Sequence, residues 1–110
     1  NLIANAIQYT PPGGSVLVSL GTHDRTAVIT VKDTGIGIPS AEQDQIFERF
    51  YRVDSDRSRK TGGTGLGLAI AKAIAHHHQG RLTVQSEVNQ GSVFSVYFPC
   101  LSQPWVSLEF

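Results

Sequence analysis

The sequence has no methionine and a single cysteine, and its charges cancel, with nine Lys and Arg against nine Asp and Glu in 110 residues. The lone Cys100 cannot close an internal disulfide, which fits a reducing compartment. A nucleic-acid-binding chain usually carries excess positive charge, and this one carries none. No apolar run approaches the roughly 20 residues that a helix needs to cross a bilayer, and no signal-peptide pattern is present. With no starting Met, Asn1 opens straight into an apolar pattern, so the expectation is a fragment of a larger protein. What is there suits one globular domain: apolar residues make up 40% and charged residues 16%. The positive charge is bunched, five of the nine basic residues being Arg49, Arg52, Arg57, Arg59 and Lys60.

Periodicity gives the elements. Leu2, Ile3, Ala6 and Ile7 recur at helical spacing, and Thr10-Pro11-Pro12-Gly13-Gly14 ends that helix. Residues 15–20 read as a strand, 21–25 as a turn and 26–32 as the hairpin partner. From Asp33 to Gly63 the chain is largely irregular, with one short helix expected over Ala41 to Phe47. A connection that long inside a compact domain is usually functional. A second helix starts at Thr64, with Leu66, Ala69, Ile70, Ala73, Ile74 and His77 on one stripe, and stops at Gln79-Gly80. Residues 81–87 and 92–98 read as two more strands around Asn89-Gln90-Gly91. The predicted class is a two-layer α/β (α+β) sandwich.

Three places carry polar chemistry. Asn1, Asn5 and Gln8 fall at i, i+4, i+7, on one helix face with Tyr9 beside them and opposite the Ile3 and Ile7 stripe. An Asn amide oxygen is a hard ligand suited to Mg²⁺, although a solvated helix face is the default reading of such a pattern. Asp33-Thr34-Gly35-Ile36-Gly37-Ile38-Pro39 follows a strand directly. Its carboxylate can accept from an exocyclic amine such as that of adenine, and its glycines let a flat ring approach the backbone; the plain alternative is a turn. Asp-Thr-Gly is also the catalytic triplet of aspartic proteases, but those folds are nearly all β, and the helical 64–78 segment argues against one. Gly62-Gly63-Thr64-Gly65-Leu66-Gly67-Leu68 opens a helix, where exposed N–H groups and the helix dipole favour an anion. Leu68 replaces the lysine of a phosphate-binding P-loop, and the glycine spacing differs from the dinucleotide fingerprint.

Taken in order, these segments resemble the histidine-kinase branch of the Bergerat-type ATPase superfamily. Asn1 to Pro11 is similar to its N box and Asp33 to Pro39 to its G1 box. Ile46-Phe47-Glu48-Arg49-Phe50-Tyr51-Arg52 resembles its F box, and Gly63 to Ala69 its G2 box; His78-Gln79-Gly80 matches the family's His-Gly-Gly helix ending with one change. The resemblance covers about residues 1 to 99, with a lid at about 34–63, and leaves 100–110 as a tail. It implies a mixed, largely antiparallel sheet covered on one face by helices, with the family's first helix and strand absent from this chain.

The resemblance also implies roles. Asn5 is the principal Mg²⁺ ligand, with Asn1 assisting. Tyr9 borders the nucleotide, Asp33 reads the adenine amine, Gly35 and Gly37 admit the base and Ile38 lines its pocket. Arg52 reaches the terminal phosphates from the lid, and Gly63, Thr64, Gly65, Leu66 and Gly67 hold the phosphates. Phe47 and Phe50 anchor the lid on the domain or on a helical partner. Gln8 stands in the ATP site where many members carry lysine. Gyrase-type relatives hydrolyse ATP with a glutamate four residues before the metal-binding asparagine; here that place is Asn1, which cannot act as a general base. The implied activity is therefore transfer of the γ-phosphoryl group of ATP, with Mg²⁺, to a histidine on a separate dimerisation domain, and from there to a response regulator. Two alternatives are an ATP-binding regulatory module without transfer and a serine kinase of the anti-sigma-factor type, which the Phe47–Arg52 segment disfavours. His76, His77 and His78 lack the acidic neighbour of a phosphoacceptor motif and read as structural, and His23 lies in a turn. A cytoplasmic location in a homodimeric parent, with no nucleic-acid or direct membrane contact of its own, completes the expectation.

Overall fold

A computed structural model describes residues 1–51 and 67–100. Within them, helix α1 (Leu2–Tyr9) leads to strands β1 (Val16–His23) and β2 (Thr26–Asp33), one 3-10 turn (Ser40–Glu42), helix α2 (Gly67–His77), and strands β3 (Arg81–Glu87) and β4 (Gly91–Pro99). The strands form one sheet in the order β1-β2-β4-β3, and every pairing among the described residues is antiparallel. Two sequence hairpins are thus zipped together through their second strands, β2 and β4.

The first hairpin is tighter than its sequence suggests. The turn is only Asp24-Arg25, both at positive φ, and Gly21, Thr22 and His23 stay in the strand, paired with Val28, Ala27 and Thr26. Two successive residues with positive φ make the mirror-image turn whose twist suits a hairpin, so the strands run further before reversing. As an edge strand, β1 leaves Leu17, Val18 and Leu20 exposed.

The alternation of the sheet sends Val31, Phe94, Val96 and Leu82 to one face, where α1 packs on β1 and β2, and α2 on β3 and β4. The core joins Phe94, Val96 and Leu82 to Ala75 of α2 and to Ile38 and Ile46 from the long connection. Phe94 is its largest fully buried side chain. Burying one such side chain contributes about 1.5–3 kcal/mol by transfer alone.

Both helices sit rotated from the stripes their sequences suggest. In α1 the buried residue is Ala6, while Ile3 and Ile7 are 48% and 63% exposed. Asn5, Gln8 and Tyr9 are half-buried, so the polar face is not the solvated one. In α2 the inward positions are Leu68, Ala71, Lys72 and Ala75, whereas Ile70, Ala73, Ile74 and His77 are exposed. In α2 the alanines allow the helix to lie close to the sheet, and Leu, Ile and Ala lie on most of its sides, so periodicity alone does not select its face.

The end of α2 also differs in detail. The residue at positive φ is Gln79, not Gly80, and the Gly80 N–H reaches back to the Ala75 carbonyl at 2.7 Å, a Schellman-type closure. Glycine is needed at 80 for another reason: a Cβ there would collide with the Tyr97 carbonyl oxygen. The helix expected over 41–47 is a single 3-10 turn followed by irregular turns. There the Gln43 side chain leaves the local chain to bond Ile38 and Ser86, and Ile46 turns into the core.

Candidate functional site

The G1-like loop begins where β2 ends. Asp33 is 6% exposed, and its Oδ1 accepts two main-chain N–H groups, from Gly35 at 2.8 Å and from Ser92 at 3.2 Å. Oδ2 takes no donor among the described residues. One carboxylate oxygen is therefore structural and the other remains an acceptor.

The loop is held on both sides. Toward α1, the Ile36 N–H donates to the Tyr9 carbonyl at 3.2 Å, and a Cβ at Gly35 would collide with that same oxygen. Thr34 closes the base of the loop: its Oγ1 accepts the Ser15 N–H at 2.8 Å, and its own N–H donates to the Ser15 carbonyl at 3.1 Å. Toward the β3–β4 hairpin, the Asn89 N–H donates to the Ile36 carbonyl at 2.8 Å, and the Ile38 N–H to Ser86 Oγ at 2.8 Å. Gly37 has φ of +74°, and a Cβ there would run into the Glu87 carbonyl. Here glycine is required by conformation and by space together.

Helix α1 places Asn5, Gln8 and Tyr9 along one half-buried face, with Asn1 exposed at its start. The start of α2 comes to the same end: a Cβ at Gly67 would lie 3.9 Å from the Asn1 Cβ. Segments far apart in sequence, the N-box-like helix, the Asp33 loop and the first described residue of the G2-like segment, thus border one region. The donor set there suits a nucleotide with a hard cation: Asn amide oxygens on one helix face, an acceptor carboxylate on the floor and a helix N-terminus for phosphate. Among the described residues no group of His, Cys, Asp and Glu could hold a metal.

The remaining candidates are placed as follows. Ile38 belongs to the hydrophobic core, and its backbone does the loop bonding. Phe47 packs on that core, edge-on to Phe94 with centroids 6.3 Å apart, and the Lys72 ammonium lies 5.4 Å from its ring centre. Phe50, at positive φ, is 70% exposed. Arg52, Gly63, Thr64, Gly65 and Leu66 lie outside the described residues.

Sequence reasoning missed Gln43, Ser86 and Ser92. Gln43 Nε2 donates to the carbonyls of Ile38 and Ser86, both at 3.0 Å, tying the segment after the 3-10 turn to the loop and to β3. Ser86 and Ser92 oppose each other across β3 and β4, with their hydroxyl oxygens 2.7 Å apart. The one available signal was the inward register of two serines in strands whose other inward positions are apolar. A shallow hollow of about 250 Å³ shares Asp33, Ser86 and Ser92 with this floor but takes no residue from α1, so it is only one wall of the candidate site. One further group has a shifted acidity: Tyr51 donates to Glu42 Oε1 at 2.5 Å, and that bond, with some burial and the nearby negative charge of Glu42 and Glu48, raises its pKa above the ordinary 10.0.

Residues 1–102 match the family described as histidine kinase-, DNA gyrase B-, and HSP90-like ATPase, and the chain belongs to that family. Over 106 residues it is 60% identical to the sensor histidine kinase RppB of Synechocystis sp., a match covering 96% of this chain and 23% of that protein. The fold matches a mycobacterial sensor histidine kinase, MprB, with a TM-score of 0.76 and 38% identity over 86% of this chain and 64% of that one. It also matches full-length ShkA, solved with AMPPNP, with a TM-score of 0.76 and 31% identity over 94% of this chain and 21% of that one. The two-layer arrangement and the histidine-kinase branch expected from the motifs are those found. The chain spans about a quarter of the RppB length and less than two thirds of the MprB chain. Among the described residues no helix is long and apolar enough to cross a membrane.

Proposed function

We propose that this chain is the ATP-binding catalytic portion of a sensor histidine kinase, which holds ATP with Mg²⁺ and presents its γ-phosphoryl group to a histidine side chain carried on a separate dimerisation domain. The observation that carries the reading is Asp33: a buried carboxylate fixed by two main-chain N–H groups through one oxygen, with the other left to accept, in a loop clamped between α1 and the β3–β4 hairpin. Such an acceptor suits the exocyclic amine of adenine. That full-length ShkA was solved with AMPPNP supports the same ligand class here.

In this reading Asn5, helped by Asn1, supplies amide oxygens to Mg²⁺, which neutralises phosphate charge when bound. Tyr9 borders the nucleotide, Gln8 lies near the phosphates, Gly35 and Gly37 let the base lie against the backbone, Arg52 reaches the terminal phosphates, and residues 63–67 hold them. The domain supplies position and charge stabilisation, while the nucleophile comes from outside, as phosphoryl transfer allows. The domain would extend over residues 1–99, and the phosphate would pass on to a response regulator. A homodimeric parent and a cytoplasmic location for this portion belong to the same proposal.

A second reading, a nucleotide-binding regulatory module without transfer, is favoured by Gln8, an uncharged residue where the family resemblance places lysine. One experiment separates them. Calorimetric titration with a non-hydrolysable ATP analogue, with and without Mg²⁺, is run beside Asp33→Ala; the histidine-bearing domain is then added and acid-labile phosphate is followed. Binding strengthened by Mg²⁺ and lost in the variant, followed by acid-labile label, supports the kinase. Binding without transfer leaves the module, and no binding by folded chain overturns both.

A further inference from the structure

We infer that Ser86, which lies outside every motif of the resemblance, is a positioning residue that fixes the hydrogen-bonding polarity of the base-binding floor by consuming the proton of Ser92, so that the floor presents acceptors only and selects a purine with an amino group over one with a keto group. The inference rests on the nucleotide reading of the Asp33 site.

The case is one of counting. A serine hydroxyl has one proton to give and two lone pairs to accept with. Ser86 Oγ accepts the Ile38 N–H at 2.8 Å and donates to the Gly91 carbonyl at 3.0 Å. Its third neighbour is Ser92 Oγ at 2.7 Å. With the Ser86 proton committed to Gly91, the bond between the two hydroxyls requires Ser92 as donor. This arrangement satisfies all three contacts at once and saturates Ser86. Both serines sit where an unmade bond is costly, Ser92 being 6% exposed.

The consequence falls on Ser92. It is the direct cross-strand partner of Asp33, so their side chains stand on the same face of β2 and β4, within the short distance typical of opposed residues. With its proton turned toward β3, Ser92 keeps only lone pairs for a ligand. Asp33 Oδ2 beside it is also an acceptor. Two acceptors side by side match an amino group and repel a carbonyl oxygen. The Ser86 hydroxyl thus acts on a ligand that it need not touch. Gln43 reinforces the placement by holding the Ser86 carbonyl and the Ile38 carbonyl together.

The test compares ADP with IDP, which carries a keto oxygen in place of the amino group, by equilibrium titration of the 110-residue chain with Mg²⁺. Wild type is expected to prefer ADP. In Ser86→Ala the Ser92 hydroxyl is free to rotate and donate, and the ADP-to-IDP affinity ratio should narrow roughly three- to tenfold, the range of one neutral hydrogen bond. Ser86→Thr, which keeps the hydroxyl, should restore the ratio. If Ser86→Ala does not fold, Ser86→Cys, with its weak donor and similar bulk, should show the same narrowing. Affinities that fall in parallel with an unchanged ratio, in whichever variant folds, would mean that Ser86 is only a structural clamp and would overturn the inference. A folded wild type that binds neither nucleotide would overturn the functional reading itself, and this inference with it.

Discussion

The main-chain N–H of Ser92 donates to Asp33 Oδ1 across 3.2 Å, so the β3–β4 hairpin orients the carboxylate that ends β2. Asp33 and Ser92 are also register partners, and the same oxygen takes the Gly35 N–H. The acid is therefore locked by its structural oxygen, which separates what it does for the fold from the ligand role proposed for its other oxygen.

That separation gives the first prediction. Asp33→Asn retains an oxygen for both N–H groups but replaces the other with a donor. Melting should shift little, while affinity for an ATP analogue should fall at least tenfold by titration. Asp33→Ala leaves both buried N–H groups unpaired and should lower stability as well, by about 1–3 kcal/mol for each group, read by chemical denaturation. An Asn variant that binds as wild type does would remove Asp33 from the site.

Gly37→Ala tests the loop from its other side. The position has φ of +74°, and an added Cβ meets the Glu87 carbonyl. The strain of a left-handed non-glycine residue, about 1–3 kcal/mol, adds to the steric displacement of β3. Denaturation midpoints should drop by more than in Gly21→Ala, where an added Cβ meets nothing within 4 Å. Equal effects at the two positions would contradict the clamp.

The helix faces make a paired prediction. Ile74 is 50% exposed and Ala75 is 1% exposed. Ile74→Ser should change the stability of this chain by little, within the ~0.5 kcal/mol usual for surface positions. Ala75→Leu forces extra methylenes into a packed core and should cost about 1–3 kcal/mol. The reverse order, measured by urea unfolding, would restore the stripe that runs through Ile70 and Ile74.

This pair also shows what was legible in the sequence. The two long helices, the strands and their order could be read, because proline, glycine and alternation punctuate them strongly, whereas the helix expected over 41–47 is only a 3-10 turn. The Asp33 loop and the α1 polar face could be singled out by residue type and spacing. The inward face of α2 could not: a helix with Leu, Ile and Ala on every side carries no periodic contrast, and small residues win the sheet-facing side by fitting closely. Gln43 and the Ser86–Ser92 pair were hidden for a different reason. Their meaning lies in which strand sits opposite which, and two serines separated by a hairpin look like surface residues until the register is known.

Tyr51 supplies the last prediction. Its hydroxyl donates to Glu42 at 2.5 Å, and that bond, then burial and the charges of Glu42 and Glu48, raise its pKa above 10.0. Folding therefore favours the protonated phenol. The contribution is fully present below the unfolded value of 10.0 and is lost as pH rises through the higher folded value. In a spectrophotometric titration at 295 nm, the difference between wild type and Tyr51→Phe should report a phenol ionising above that reference. Glu42→Gln removes the charge but keeps an acceptor, and should bring the transition back toward it. Because Tyr51 directly precedes Arg52, which the proposed function places on the phosphates, the same variant also tests whether this bond matters for nucleotide binding. Under that proposal Glu42→Gln should loosen nucleotide binding at neutral pH, while the core around Phe94 keeps its stability.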